Sequence, residues 1–294
     1  AAPPIAATTS FVASGDRLAD RLAPSLVLVN FDMPFSVEGV TERNYHGTGL
    51  IVDRDAGLVA VDRNTVPVAV GDVRLTFAGS VEVRGRVEYV HPTHNVAILS
   101  FDPALLGATP IRGAGFDTTG LEPGEAVTVV GLGGDSRVRS LATKVASVDD
   151  VSFPLSRTLQ FREANLEVAS LVNPPTDFDG VIVGSDGRVR AMWSSFATES
   201  GRDVVQINRG LPIEIVTEAV DALRAGRPLY SLEAEFEAVP VSVARKLGLT
   251  DEWVRRIEAH DGPHRQVLSV ARVVAGSPAA ESLQEGDLLL AVDG

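Results

Sequence analysis

The chain has 294 residues, 45% of them hydrophobic and 22% charged, which gives room for two or three domains each with its own core. A net charge of -13 argues against binding to nucleic-acid phosphates, and the absence of cysteine excludes disulfides, thiolate metal sites and a cysteine nucleophile. No apolar run reaches the ~18 residues that a membrane-spanning helix needs, and no charged lead followed by an apolar stretch marks a signal peptide.

Residues 1 to 18 are small and rich in Pro, Ala and Thr, and read as a linker or lead-in segment. From Ser25 the apolar residues recur every second position. SLVLVNFDMP is a strand, and HGTGLIVDRDAGLVAVDRN is a hairpin turning at Arg54-Asp55-Ala56-Gly57. Val73, Leu75 and Phe77 alternate, the chain turns at Gly79, and Val81 and Val83 alternate on the return. NVAILSFD is a buried strand. Short strands with glycine turns and almost no helical period predict a β-barrel or sandwich over 25 to 115.

A second β-rich unit is expected over 116 to 210. It has a turn at Pro123-Gly124, a buried strand from Val127 to Val130 and a strand after Gly134. The stretch NPPTDFDGVIVGSDGRVRAMW follows as a loop and a hairpin, and RDVVQINRG completes the unit. The period then changes to 3.6. Ile213, Ile215, Val216, Val220 and Leu223 share one face of a helix over 212 to 225, with Pro212 at its start and Gly226 past its end. From 229 to 294 the reading is a helical stretch broken by Gly248, then strand, turn, short helix and strand.

Two β-units, a helix ending LRAGRP, and the run GSPAAESLQEGDLLLAVDG together resemble the HtrA (Deg) family of trypsin-like serine proteases. The stretches GLIVDRDAGLVAVDRNTVP and RQVLSVARVVAGSPA resemble the second, degenerate half of the long fungal tandem members. The resemblance implies a mostly β fold, with a trypsin-like double barrel over 19 to 227, a linking helix and a partial PDZ domain over 229 to 294. It implies no cofactor and no metal, and protein or peptide partners. The compartment stays open.

Family catalysis needs a hydroxyl, an imidazole to take its proton, a carboxylate to hold the imidazole, and N–H groups to meet the oxyanion. By position, Asn64 stands where the family has its histidine, Asn95 where it has aspartate, and Phe178 where it has serine. Thr176 replaces the glycine that opens the oxyanion turn. The resemblance thus implies a protease-like chain without a catalytic residue, a scaffold or regulatory part of a larger protein. Two alternatives stand beside it: a serine endopeptidase whose active half lies outside this chain, and an adaptor for unfolded or C-terminal segments.

Rival assignments attach to particular residues. Thr176 is a hydroxyl in the right loop but needs a base. His91, His94 and Glu88 have a spacing that suits a metal, against a solvated loop. Ser194 and Ser195 read as polar wall, Asp177 and Asp179 as a solvated acidic pair, and Phe178 as filling a former substrate pocket. The carboxylate-binding loop of the PDZ-like part falls at Ser231, Leu232, Glu233 and Ala234, where the family prefers glycine in place of Glu233 and where its negative charge opposes a peptide carboxylate.

Overall fold

The structure is a computed structural model that describes residues 7–35, 43–152, 164–200 and 203–292. The predicted alternation appears as two closed antiparallel barrels followed by a small sheet. Barrel one contains β1 (Leu26–Asp32), β2 (Asn44–Asp53), β3 (Leu58–Val61), β4 (Asp72–Phe77), β5 (Val81–Val90) and β6 (Ala97–Phe101). They run in the order β1-β2-β3-β6-β5-β4, with β4 pairing back onto β1. Barrel two contains β7 (Ala126–Gly133), β8 (Val138–Ser152), β9 (Ala164–Leu171), β10 (Phe178–Val183), β11 (Val189–Ser200) and β12 (Asp203–Pro212). Its order, β10-β11-β12-β9-β8-β7, is the same circular arrangement, so both barrels close without an open edge.

The apolar runs of the sequence have a geometric reason. The second half of β2 and nearly all of β3 and β6 are buried, because one face lines the barrel and the other faces a seam between the barrels. Ile51, Val59, Val61, Ala97 and Leu99 point inward with Phe31 and Phe77. Leu50, Val52, Leu58, Ala60 and Ile98 point into the seam, where they meet Val130, Val181, Val183 and Met192 of barrel two. Burial of one such side chain contributes about 1.5–3 kcal/mol, so the seam fixes the barrels as one body. The helix α2 (Ile213–Arg224) closes the seam with Ile213, Val216, Ala219 and Val220, matching the predicted face. Trp193, Val129 and Ile182 fill barrel two.

From Ala7 onward the lead-in segment lies against barrel one. The Ala7 N–H donates to Leu105 O (2.9 Å), and the Thr109 hydroxyl accepts from Thr9 N (3.0 Å). Phe11 packs on the barrel-one core. Asp16 caps the short helix α1 (Arg17–Leu22), accepting from Leu18 N and Ala19 N.

After α2 comes β13 (Ala234–Pro240), then α3 (Val241–Ala244), α4 (Asp251–His260), β14 (Gln266–Val273) and β15 (Leu288–Leu289). The three strands form one antiparallel sheet. Gly248, at φ 105°, separates α3 and its following 3-10 turn from α4, as the predicted break requires. Val254 of α4 packs with Val239, Leu249 and Val267. No helix among the described residues is long and apolar enough to cross a membrane.

Candidate functional site

The candidate site has three pieces: the turn after β3, the end of the loop before β10, and the middle of β11 and β12. The first piece is self-capped. Asp62 Oδ1 accepts from Thr65 N (2.7 Å) and its carbonyl accepts from Val66 N (3.1 Å), so Asp62 closes its own tight turn. Its other oxygen accepts from Ser195 N (3.0 Å), across the seam in β11. Asp62 is only 4% exposed.

Asn64 and Asn95 reach the same serine. Asn64 Nδ2 donates to Ser195 Oγ (2.8 Å), and Asn95 Nδ2 donates to Ser195 O (2.7 Å). Asn95 Oδ1 accepts from Arg63 N (2.7 Å), which ties the turn to the approach of β6. Gln206 Nε2 also donates to Ser195 Oγ. Ser195 is therefore held by four side chains, on its N–H, its carbonyl and its hydroxyl. It is buried, and its hydroxyl already accepts two amide donors, so no substrate reaches it as a nucleophile.

The second piece begins β10. Phe178 is half-buried and packs on the barrel-two core with Trp193 and Ile182, while its edge still lines the cleft. Thr176 is exposed and Pro175 buried. The expected acidic pair is divided by the strand alternation. Asp177 is exposed and pairs with Arg139, whereas Asp179 turns inward, where Asn208 Nδ2 donates to its Oδ1 (2.6 Å). The reading of both as solvated thus fails for Asp179, because β10 starts at Phe178 and carries it under the cleft.

Beside this cluster lies a cavity of about 300 Å³, lined from β2, the end of β7, the loop before β10, β10 and β12 by His46, Thr48, Thr176, Phe178, Asp179 and Asn208, among others. Its electrostatics are unusual. Burial, and then the charge of Asp62, push the Asp179 carboxyl up to about 6. Burial likewise raises Asp62, opposed by its backbone hydrogen bonds. The cavity offers hydroxyls, amides and one titrating carboxyl. His46 and Thr176 both line it, and among the described residues no hydrogen bond joins them.

The His91 and His94 stretch forms a turn. His91 Nδ1 accepts from Thr93 N (3.2 Å) and His94 N (3.0 Å), and its ring meets those of Tyr89 and His94 edge-on. Glu88 is turned away onto Ser100 and Arg86. Among the described residues no three His, Asp or Glu side chains gather as metal ligands would.

In the last unit, Leu232 is exposed and Ala234 buried at the start of β13. Glu233 lies between them at φ 53°, in the left-handed region that favours glycine, with its carbonyl accepting from Val274 N (2.9 Å). The sequence marked Glu233 as a charge, but its backbone is the stronger signal. Glu233→Gly is expected to stabilise this unit by about 1 kcal/mol, since a side chain in that region costs ~1–2 kcal/mol. Urea denaturation of the full chain checks it, and no gain would show that the turn is unstrained.

No protein-family model matches the chain. Curated relatives do. A PDZ domain-containing protein of Schizosaccharomyces pombe is 34% identical over 91% of this chain and 27% of its own length. Protease Do-like 7 of Arabidopsis thaliana is 32% identical over 94% of this chain and 28% of its own. Pro-apoptotic serine protease NMA111 of Phaeosphaeria nodorum is 30% identical over the whole chain and 30% of its own. The chain thus spans less than a third of these relatives. Among solved structures, the HtrA-type protease AlgW with a tripeptide superposes at a TM-score of 0.56 with 18% identity, covering 92% of this chain and 80% of AlgW. The active form of the Mycobacterium tuberculosis protease Rv3671c superposes at 0.53 with 18% identity, covering 79% and 94%. These similarities establish the double-barrel fold.

Proposed function

This chain belongs to the HtrA family of serine protease homologues, and we propose that it is a member without catalysis, serving as a protease-like scaffold within a larger protein. One observation carries the reading: the buried Ser195, beside the cavity, is held by a network of amides, with Asn64, Asn95 and Gln206 all donating to it. Asn64, Asn95 and Phe178 take the places of histidine, aspartate and serine. A carboxamide has no basic nitrogen, so Asn64 takes no proton from a hydroxyl. Phe178 supplies core packing where a nucleophile would stand. Thr176 keeps a hydroxyl in the cleft, and among the described residues no histidine bonds to it.

The same reading extends to the rest of the protein. Relatives more than three times as long leave room for an active half outside this segment, so endopeptidase activity is assigned to the parent protein. Residues 229 to 294 are read as part of a PDZ domain, supported by the β13–β14 sheet and the GSPA and EGDL turns. The Glu233 carboxylate sets this part against peptide C-termini, and protein or peptide segments remain the class of partner.

Incubation with a fluorophosphonate probe tests the proposal, with casein turnover measured beside it. No label and no turnover are expected. Label that survives purification and is lost in Thr176→Ala would move the chemistry to the Thr176 and His46 side of the cavity and overturn the reading.

A further inference from the structure

The cavity beside the Ser195 network has an excess of acceptor oxygens. Among the described residues its lining includes Asp177 and Asp179 and neither arginine nor lysine. The excess follows from where the amides direct their N–H groups. Gln206 Nε2 donates to Ser195 Oγ, and Asn208 Nδ2 donates to Asp179 Oδ1 (2.6 Å). A carboxamide has donors on nitrogen and acceptors on oxygen, so Gln206 Oε1 and Asn208 Oδ1 are what these side chains keep for a ligand. Among the described residues no donor is bonded to either oxygen, to Asp179 Oδ2 or to the Thr176 hydroxyl.

Nearby cations are engaged elsewhere. Arg139 pairs with Asp177 and Asp135. On β12 the strand alternation puts Gln206 and Asn208 on the cavity side, and Arg209 between them turns its guanidinium to the Asn208 carbonyl (2.8 Å). Asp179 is thus a half-buried carboxylate with one neutral donor and, among the described residues, no counter-ion. The space adds to the chemistry. At about 300 Å³ the cavity lies at the small end of the ~300–1,000 Å³ range of ligand pockets, which suits a single side chain. A second hollow of about 540 Å³ shares Thr176, Asp177 and Phe178 with it and adds the apolar walls of Val138, Leu141 and Pro174.

We propose that the cavity binds the guanidinium of an arginine in an extended peptide segment, with Asp179 as its counter-ion and the adjoining apolar hollow taking a flanking side chain. Arginine fits better than lysine. Its planar fork of N–H donors meets several acceptors at once, whereas an ammonium is a point charge. The inference deepens the scaffold reading and rests on its class of partner, protein or peptide segments; it makes no use of catalysis. An internal arginine also needs no free C-terminus, so this site is separate from the PDZ-like part.

The probe is a fluorescein-labelled pentapeptide with a central arginine between leucine and valine. Its C-terminus is amidated, so the PDZ-like part is offered no carboxylate. Fluorescence anisotropy with the full chain is read at pH 7.5, where Asp179 is charged because its carboxyl titrates at about 6. The comparison peptide carries citrulline, neutral and of nearly the same shape, in place of arginine. The arginine peptide is expected to bind about tenfold to a hundredfold more tightly, the ordinary worth of a charged hydrogen-bonded contact. In Asp179→Asn that preference is expected to fall below about threefold, and Asp177→Asn should keep it. The net charge of -13 attracts any cation, and removing one of those charges leaves that attraction almost whole. Only a local contact loses its preference with Asp179.

Equal binding of the two peptides overturns the proposal, as does an arginine preference that survives Asp179→Asn. Agmatine, a free guanidinium, is expected to displace the peptide only at concentrations well above those at which the peptide binds. Displacement at equal concentration would make a small free cation the ligand and overturn the peptide assignment. Should Asp179→Asn fail to fold, hydrogen exchange of the natural protein saturated with the arginine peptide decides the matter. Added protection at 174–180 and 206–208 supports the site, and no change there, or a change confined to 230–240, overturns it. Fluorophosphonate labelling stands apart from these results: it would overturn the non-catalytic reading and leave the peptide ratios as they are, whereas equal peptide binding would strike this inference alone.

Discussion

A variant carrying Asn64→His, Asn95→Asp and Phe178→Ser is expected to take up no fluorophosphonate and to lose about 3–6 kcal/mol of stability. The cost arises first at Asn95. Its Nδ2 donates to Ser195 O at 2.7 Å, so aspartate would set a carboxylate oxygen against a carbonyl oxygen in a site 1% exposed. Removing a buried donor costs about 1–3 kcal/mol, and an uncompensated buried charge costs more. The new charge would also join Asp62, which already holds the Ser195 N–H. At Phe178 the loss is packing against Trp193 and Ile182, a few kcal/mol by comparison with other aromatic deletions. No catalytic gain is expected, because on the proposed reading Thr176 still stands where the oxyanion turn takes glycine. Thr176 is β-branched, and Pro174 and Pro175 stiffen the approach. Loss of one oxyanion donor alone costs about 3–4 kcal/mol of transition-state stabilisation. Urea denaturation and probe labelling read both parts. Labelling at a rate near that of an active relative would show that the turn was intact and the loop misread.

Gly180→Ala is expected to cost more than about 4 kcal/mol and to abolish cooperative unfolding of barrel two. Gly180 pairs directly with Gly131 across β10 and β7. A Cβ on Gly180 would fall on the Gly131 Cα and the Val130 carbonyl, with the Val130 carbonyl carbon only 2.8 Å away. A Cβ on Gly131 would fall on the Asp179 carbonyl in turn. Both obstacles are backbone, so no rotamer change relieves them, and the barrel must open where it closes on itself. Gly134, just past the end of β7, has nothing within 4 Å of its Cβ position. Gly134→Ala should therefore change stability by less than about 1 kcal/mol. Thermal unfolding followed by tryptophan fluorescence, with Trp193 reporting from the barrel-two core, separates the two. A Gly180→Ala protein that melts like Gly134→Ala would contradict the register.

The strands were legible because β1, β4 and β5 bury alternate residues, and β2, β3 and β6 were legible as strands because their apolar runs are short and turn-bounded. That those runs serve two cores at once was not legible, since period alone does not distinguish a strand in a seam from one buried for another reason. The positions of Asn64, Asn95 and Phe178 came from family resemblance. The convergence of Asn64 and Asn95 is a property of the fold: Ser195 lies 131 residues from Asn64 and 133 from Asp62, and local pattern carries no trace of such pairing. Asp62 escaped notice for the same reason, as a carboxylate in a turn reads as solvated until a second barrel covers it. Gln206 and Asn208 alternate on β12 as ordinary polar residues would. The lead-in segment read as a linker because it lacks period, yet Phe11 and the hydroxyls of Thr8 and Thr109 dock it.

The His91 turn bears on how this protein would look to a calorimeter. With Nδ1 accepting two N–H groups, a second ring proton has nowhere to go without breaking the turn. Burial, then the neighbouring His94 and Arg63, depress the imidazole from 6.5 to about 4. Here the unfolded chain binds the proton first, so stability rises with pH between about 4 and 6.5. Asp179 loses stability over almost the same interval, from 3.8 to about 6. The two slopes oppose each other, so in weakly acidic conditions each partly masks the other in a melting temperature plotted against acidity. The global curve then understates the proton exchange beneath it, because one group in the turn before β6 takes up protons where another beside the cavity holds them. The reading belongs to a site-resolved measurement: the whole changes little while the distribution of its stability moves.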